Sequence, residues 1–182
     1  FQGEAAFVPL DRDKGSANGT KKAPPLFFAV PIRDSVGTTL AVLTQRVRFE
    51  GSLSRILQAG RTGHTGETYA VSREGVLLTA SRFKRQLHDL GLLEQGKSES
   101  RNVAIRDPGG NMLEGFQPRT PLAERPLTRM AKDLVRMGRE KTPNEHSALE
   151  VDIGGYRDYR GVPVFGVWQW DHHLGFGMAT EI

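Results

Sequence analysis

Hydrophobic residues along the chain fall into short runs of β-type residues separated by glycine and proline punctuation, which predicts a sheet-rich domain with few helices. Leu26 to Ile32 and Thr39 to Thr44 flank the turn-rich stretch Arg33 to Gly37 and predict a hairpin. Pro31 has no N–H to give to a ladder, so its strand is expected at a sheet edge or with a bulge there. Glu67 to Val71 and Val76 to Ala80 flank Ser72-Arg73-Glu74-Gly75, whose glycine can supply the positive φ of a tight turn, and predict a second hairpin. The chain closes on four β-rich runs, Leu149 to Ile153, Tyr156 to Tyr159, Val162 to Trp170 and Phe176 to Ile182. They are separated by Gly154-Gly155, Arg160-Gly161 and the polar turn Asp171 to Gly175.

Three helices are expected between these runs. Ser52 is placed to cap a short helix through Ser54 to Leu57, with Gly60 as its glycine stop. Phe83, Leu87, Leu90 and Leu93 recur at three- and four-residue spacing, the stripe of a short amphipathic helix lying on a sheet. Leu127, Met130, Leu134 and Met137 repeat that spacing with Lys and Arg opposite, which predicts a helix from about Pro126 to Lys141. Asp107-Pro108-Gly109-Gly110-Asn111 is a turn joining Val103-Ala104-Ile105 to Met112 to Phe116, two runs short enough to be strand or extended loop. Gly3 to Pro25 is polar and punctuated, and is expected to be a loop or mobile tail. The order of elements argues for an α+β fold with a central antiparallel sheet flanked by helices, against a parallel doubly wound one.

Composition narrows the function classes. The 182 residues, 37% hydrophobic and 25% charged, suit roughly one globular domain. The net charge of +4 comes from interspersed charges without a basic stripe, so no nucleic-acid partner is expected. With no cysteine, a thiolate nucleophile, a disulfide scaffold and cysteine-ligated metal are excluded. No stretch reaches the roughly 18 unbroken apolar residues of a membrane-spanning helix. Phe1-Gln2-Gly3 matches the tail of a tag-protease recognition sequence and reads as a cloning remnant, so the natural chain is expected to extend further.

Searches for catalytic patterns fail. Asp171-His172-His173 offers three ligand types in a row, but adjacent turn residues point apart, and no His-x-x-x-His with a partner acid supports metal binding. There is no Gly-x-Ser-x-Gly elbow and no glycine-rich phosphate loop, so neither a nucleophile nor a nucleotide or other cofactor is expected. The last strands say more. A strand period of two puts Tyr156, Asp158 and Arg160 on one face and Arg157 with Tyr159 on the other. Trp168 and Trp170 share a face with Val164 and Gly166, whose missing side chain leaves room for a neighbour or a ligand. Such aromatics either wall a small-molecule cavity or fill the core beneath the helices.

Taken together, GRTGHTGETYAVSREGVLLTASRF (Gly60 to Phe83) and GGYRDYRGVPVFGVWQW with GFGMATEI (Gly154 to Ile182) resemble the extracytoplasmic Cache sensor family. In that family a Gly-Glu-Thr-Tyr strand, a charged-Gly turn and a Ser-Arg-Phe ending open a membrane-proximal PAS-like module, matching Gly66 to Tyr69, Glu74-Gly75 and Ser81 to Phe83. A Tyr-x-x-Tyr-x-Gly-x-x-Val-x-Gly hairpin, here Tyr156, Tyr159, Gly161, Val164 and Gly166, leads to a last strand that precedes a membrane helix. Leu26 to Thr44 looks like the closing hairpin of a membrane-distal module, and Ser52 to Leu57 like the helix joining the two.

The resemblance implies that residues 1–3 are tag remnant, 4–59 the end of a distal Cache module and 60–182 the proximal one. It further implies a non-enzymatic sensory domain on the outer, periplasmic side of a membrane signalling protein of kinase or nucleotide cyclase type, with membrane helices adjacent and a homodimer in the intact receptor. Any ligand of the proximal module is expected between sheet and helices, at Tyr69, Arg82, Tyr156, Asp158 and Trp168. Arg82 would either clasp a carboxylate or amino-acid-like ligand with two prongs or pair with Asp158. The alternative is a ligand-free relay or dimerisation module, in which the leading hairpin pairs its edge with another chain.

Overall fold

A computed structural model of the protein describes residues 6–8, 26–47, 51, 53–140 and 149–182. The described strands form two antiparallel sheets. The first has the order β1 (Ala6–Val8), β2 (Leu26–Arg33), β3 (Thr39–Val47), joined through the expected hairpin turn, where the Asp34 carboxylate accepts the N–H groups of Val36 and Thr38. Two expectations change here. Ala6–Val8, within the segment read as a loop, is a strand pairing with Phe27 to Ala29, so β2 is central there and not an edge. Pro31 lies beyond the reach of β1, and the register irregularity falls one step further on, between Ile32 and Arg33.

The second sheet has the order β4 (Glu67–Val71), β7 (Phe176–Glu181), β6 (Pro163–Asp171), β5 (Glu150–Arg157), every pair antiparallel. The two expected runs Leu149–Ile153 and Tyr156–Tyr159 are one bulged strand. Asp152 pairs with Gly166 and Tyr156 with Val164, so Ile153 to Gly155 together stand opposite Phe165, and Gly155 takes φ +88°. This bulge keeps Asp152 and Tyr156 on the same face of the sheet. Val76 to Ala80 does not become a ladder strand. After the Ser72 to Gly75 turn, with Gly75 at φ +73°, Leu78 donates to Ala70 O, and the Thr79 hydroxyl then takes the Ala70 N–H, ending the pairing.

Helix α1 (Ser54–Ala59) is anchored by its Ser54 hydroxyl, which accepts the Ala80 N–H. Gly60 ends it at φ −80°, outside the left-handed region, and Ser52 lies outside the described residues. Leu53 and Leu57 pack with Ala70, Leu78 and Phe176 on the outer face of β4 and β7. Helix α2 (Lys84–Asp89) stops at Gly91, φ +68°, but its stripe continues, with Leu87, Leu92 and Leu93 buried. Helix α3 (Arg129–Arg139) starts three residues later than predicted. Leu127 is held extended by an isolated bridge to Arg106, and Thr128 caps the helix by accepting the Ala131 N–H. The segment from Val103 to Phe116 is isolated bridges and a short 3₁₀ turn, Met112–Glu114.

The main core lies between the inner sheet face and α2, α3 and the 103–105 segment. Tyr69 and Val71 on β4, Trp168 and Trp170 on β6 and Ala179 on β7 meet Leu87, Ile105, Met130, Leu134 and Met137. Among the described residues, no helix is long and apolar enough to cross a membrane.

Candidate functional site

At one end of that core the inner sheet face turns polar. Glu67 and Glu181 are register partners on β4 and β7, and both side chains are buried. The period of two that sends Tyr69 and Val71 inward from β4 sends Glu67 inward too, and Glu181 follows Ala179 on β7 in the same way. Acids are almost never buried without partners, and these have them. Tyr69 Oη donates to Glu181 Oε2 at 2.6 Å and Tyr156 Oη to Glu181 Oε1 at 2.7 Å. Tyr159 Oη donates to Glu67 Oε2 at 2.6 Å, while Ser81 Oγ and the Arg82 N–H donate to Glu67 Oε1 at 2.6 and 2.7 Å. The chain has three tyrosines, and all three hydroxyls end on this pair of glutamates.

Tyr69 and Tyr159 meet edge to face with ring centroids 6.0 Å apart, and Tyr156 meets Trp168 in the same manner at 5.6 Å. Burial pushes Glu181 up to about 8, with the charge of Asp158 adding to the effect. Burial also raises Glu67 above the usual carboxylate range, against the donors that oppose it. The Tyr69 and Tyr159 phenols are driven well above the ordinary range, again chiefly by burial. These phenols act as donors and acceptors and not as phenolates.

Beside the pair sits a buried ion pair in a tight turn. Asp158 N–H donates to Val162 O and Gly161 N–H to Asp158 O, so the strand period ends at Arg157. This overturns the expected alternation: Asp158, Tyr159 and Arg160 are all buried together. Asp158 Oδ1 accepts the N–H groups of Arg160 and Val162, and Oδ2 accepts Arg160 Nε and Nη2 at 2.8 and 2.6 Å. The Arg160 guanidinium also reaches Gln86 Oε1 at 2.6 Å and lies 3.5 Å from the Phe83 ring centroid.

Four of the five residues predicted for the site converge here. Tyr69 and Tyr156 share Glu181, Trp168 braces Tyr156, and Asp158 lies within the cluster's field. The fifth, Arg82, joins through its backbone only. Its guanidinium turns out of the cluster to the carbonyl oxygens of Gly66 and Gly63, so the expected pairing with Asp158 does not form; the neighbouring fork of Arg160 takes that acid. Glu67, Ser81, Tyr159, Arg160 and Glu181 were not predicted. For Glu67 and Glu181 the signal in the sequence is an acid placed two residues from an inward tyrosine or alanine on a strand, which alone does not separate a buried acid from one at a strand end.

The arrangement can hold and pass protons, and it is nearly closed on itself. On the neighbouring stretch of β6 the buried indole N–H groups of Trp168 and Trp170 have no hydrogen-bond partner. Among the described residues no group of three or more His, Asp or Glu is placed to hold a metal ion, and Asp171 accepts the Leu174 N–H in an ordinary turn.

No family model matches the chain, and no curated protein matches it. Two solved structures are similar to it: the extracellular domains of mmHK1S-Z3 and mmHK1S-Z2, both assigned as histidine kinases. The first is 15% identical with a TM-score of 0.40, the second 14% identical with a TM-score of 0.41, each over 87% of this chain. The chain spans less than half of either structure, 44% and 45% respectively.

Proposed function

We propose that the chain is an extracytoplasmic sensory module of a membrane signalling protein of kinase or nucleotide cyclase type, and that its second sheet works as a relay. In this reading residues 60–182 are a membrane-proximal PAS-like Cache module and residues 4–59 the end of a membrane-distal one, as the Gly60 to Phe83 and Gly154 to Ile182 motifs suggest. One observation carries the relay. Glu181 is the last residue of β7, a strand bonded on both sides, and it is tethered from within by Tyr69 of β4 and Tyr156 of β5. Any rearrangement of the buried cluster therefore acts on the C-terminal end of β7, next to the backbone pair of Ile182 with Phe165. A signal needs an element with two arrangements that an input stabilises unequally, and a hydrogen-bonded cluster of this kind supplies one.

A second reading, direct binding of a small carboxylate or amino-acid-like molecule at the same cluster, is favoured by the unpartnered indole N–H of Trp168. Thermal unfolding with panels of amino acids, carboxylates and amines, alongside analytical ultracentrifugation, separates the two. Concentration-dependent dimerisation with no stabilisation by any compound supports the relay. Stabilisation that vanishes in Trp168→Phe and Arg82→Ala supports the ligand site. The placement beside a membrane is tested by the gene itself, which must continue after Ile182 into about 20 apolar residues; a polar continuation sinks it.

A further inference from the structure

Glu67 and Glu181 stand opposite each other in the β4–β7 ladder, which sets their Cβ atoms about 5 Å apart on one face of the sheet. Their relative exposures are 3% and 4%, so neither charge is answered by water. Every element around them contributes to the balance. Strand β4 brings the Tyr69 phenol, β5 the Tyr156 phenol and, further off, Asp152, and β6 only the hydrogen of Gly166. The segment after Thr79 brings the Ser81 hydroxyl and the Arg82 N–H, with the Arg82 guanidinium turned away to loop carbonyls. The 158–162 turn brings the Tyr159 phenol, Asp158 and Arg160, and those last two are clasped to each other.

Of the buried carboxylates here, Asp152 is paired with Arg129 and Asp158 takes the one buried guanidinium by the fork, which leaves Glu67 and Glu181 with neither. Every direct donor to the two glutamates is a neutral hydroxyl or amide. Two neighbouring carboxylates without a counter-charge do not both ionise readily in a dry site. Hydroxyl donors serve either state, since a phenol donates to a carboxylate and accepts from a carboxylic acid.

We infer that Glu67 and Glu181 form a proton-binding site inside the sheet, and that gain or loss of its proton sets how firmly the end of β7 is held. The first half stands on the geometry alone, and the second rests on the relay reading above. Burial that lifts Glu181 to about 8 puts the transition in the range an extracytoplasmic domain meets. Because the folded value lies above the ordinary 4.5, the stabilisation from this group is complete below about pH 4.5 and is lost as pH rises through about 8.

The test is a ¹³C NMR titration of the glutamate side-chain carboxyls in the 182-residue protein from pH 5 to 9.5, with melting curves over the same range. At least one buried glutamate should titrate two or more pH units above the exposed ones, and the melting temperature should fall between pH 5 and 8. Glu181→Gln should remove that upshifted transition and flatten the melting profile. Should that variant not fold, the wild-type titration and Glu67→Gln decide the point. Titration of every glutamate below pH 5.5 overturns the proton site. Hydrogen-exchange protection of β7, corrected for intrinsic rate, should fall above pH 8 in the wild type and stay level in Glu181→Gln. An upshifted titration with unchanged β7 protection overturns the coupling to β7 and leaves the proton site standing.

Discussion

The Tyr156 phenol reaches Glu181 by crossing directly over Gly166. Gly166 is the register partner of Glu181 on one side and of Asp152 on the other, and Tyr156, on the same face of β5 and paired with Val164, reaches across it. A Cβ on Gly166 would run into Tyr156 Oη and approach Glu181 Cγ to 3.3 Å. The missing side chain is what opens the path between the edge strand and the acid on β7.

Gly166→Ala should therefore destabilise the protein by about 1–3 kcal/mol through overpacking, although alanine suits a strand better than glycine. Removing the colliding atom in Tyr156→Phe should offset part of that cost. In urea denaturation the double variant should lose less stability than the sum of the two single changes. Simple additivity would show that the collision is relieved by other means.

The two arginines near the cluster should behave very differently. Arg160 is buried in a two-pronged pair with Asp158, so Arg160→Ala leaves a buried acid uncompensated, a loss of about 3–5 kcal/mol. Arg160→Lys should recover little, because an ammonium cannot reproduce the fork or the stacking on Phe83. Arg82 bonds only carbonyl oxygens of a loop through its guanidinium, so Arg82→Ala should cost less than half as much. Equal losses for Arg82→Ala and Arg160→Ala, measured by chemical denaturation, would contradict this division of roles.

These contrasts mark where the sequence was legible. The leading hairpin, the inward Trp168 and Trp170, the room at Gly166 and the turn at Gly75 follow from strand period and glycine chemistry, and the folded chain has them. The bulge that fuses two predicted runs into β5 was hidden because Gly154-Gly155 reads equally well as a turn. Val76 to Ala80 has the composition of a strand, yet the Thr79 hydroxyl captures the Ala70 N–H, a long-range choice that local pattern does not contain. The partner of Asp158 is decided by a tight turn that folds Arg160 back onto it, where period-two reasoning had the two side by side on one strand face with Arg82 as the candidate partner. Glu67 and Glu181 were invisible as a site for a plainer reason. Acids are exposed by default, and only the pairing of β4 with β7 brings two of them together.

Removing single hydroxyls from the cluster should act on the acids in a defined direction. The Tyr69 bond to Glu181 favours the ionised form, so Tyr69→Phe should move the Glu181 titration further upward from about 8. Tyr159→Phe should do the same to Glu67, which then keeps only Ser81 and a backbone N–H. Each change should cost about 1–3 kcal/mol near pH 8, for a buried acceptor left short of a donor, and less at pH 5, where the acids are protonated. Carboxyl ¹³C shifts and melting curves at the two pH values check both parts. A downward shift of Glu181 in Tyr69→Phe would show that the phenol accepts from the acid instead of donating to it.

Where helix α3 meets β6, Gly138 packs against Trp170, and this glycine inverts a familiar rule. Gly138 is buried within the helix, where replacing glycine by alanine ordinarily gains about 0.5–1 kcal/mol. Here a Cβ would sit 2.7 Å from Trp170 Cζ2 and 2.8 Å from Cε2, against a ring that is itself fully buried and has little freedom to yield. Overpacking costs about 1–3 kcal/mol, which exceeds the helix gain, so Gly138→Ala should be destabilising. Pairing it with Trp170→Phe, which removes the six-membered half of the indole, should restore the ordinary sign: in that background the alanine should be neutral or stabilising. Denaturation midpoints of the four proteins in this cycle give the answer. A stabilising Gly138→Ala in the wild-type background would mean that α3 shifts along β6 to make room.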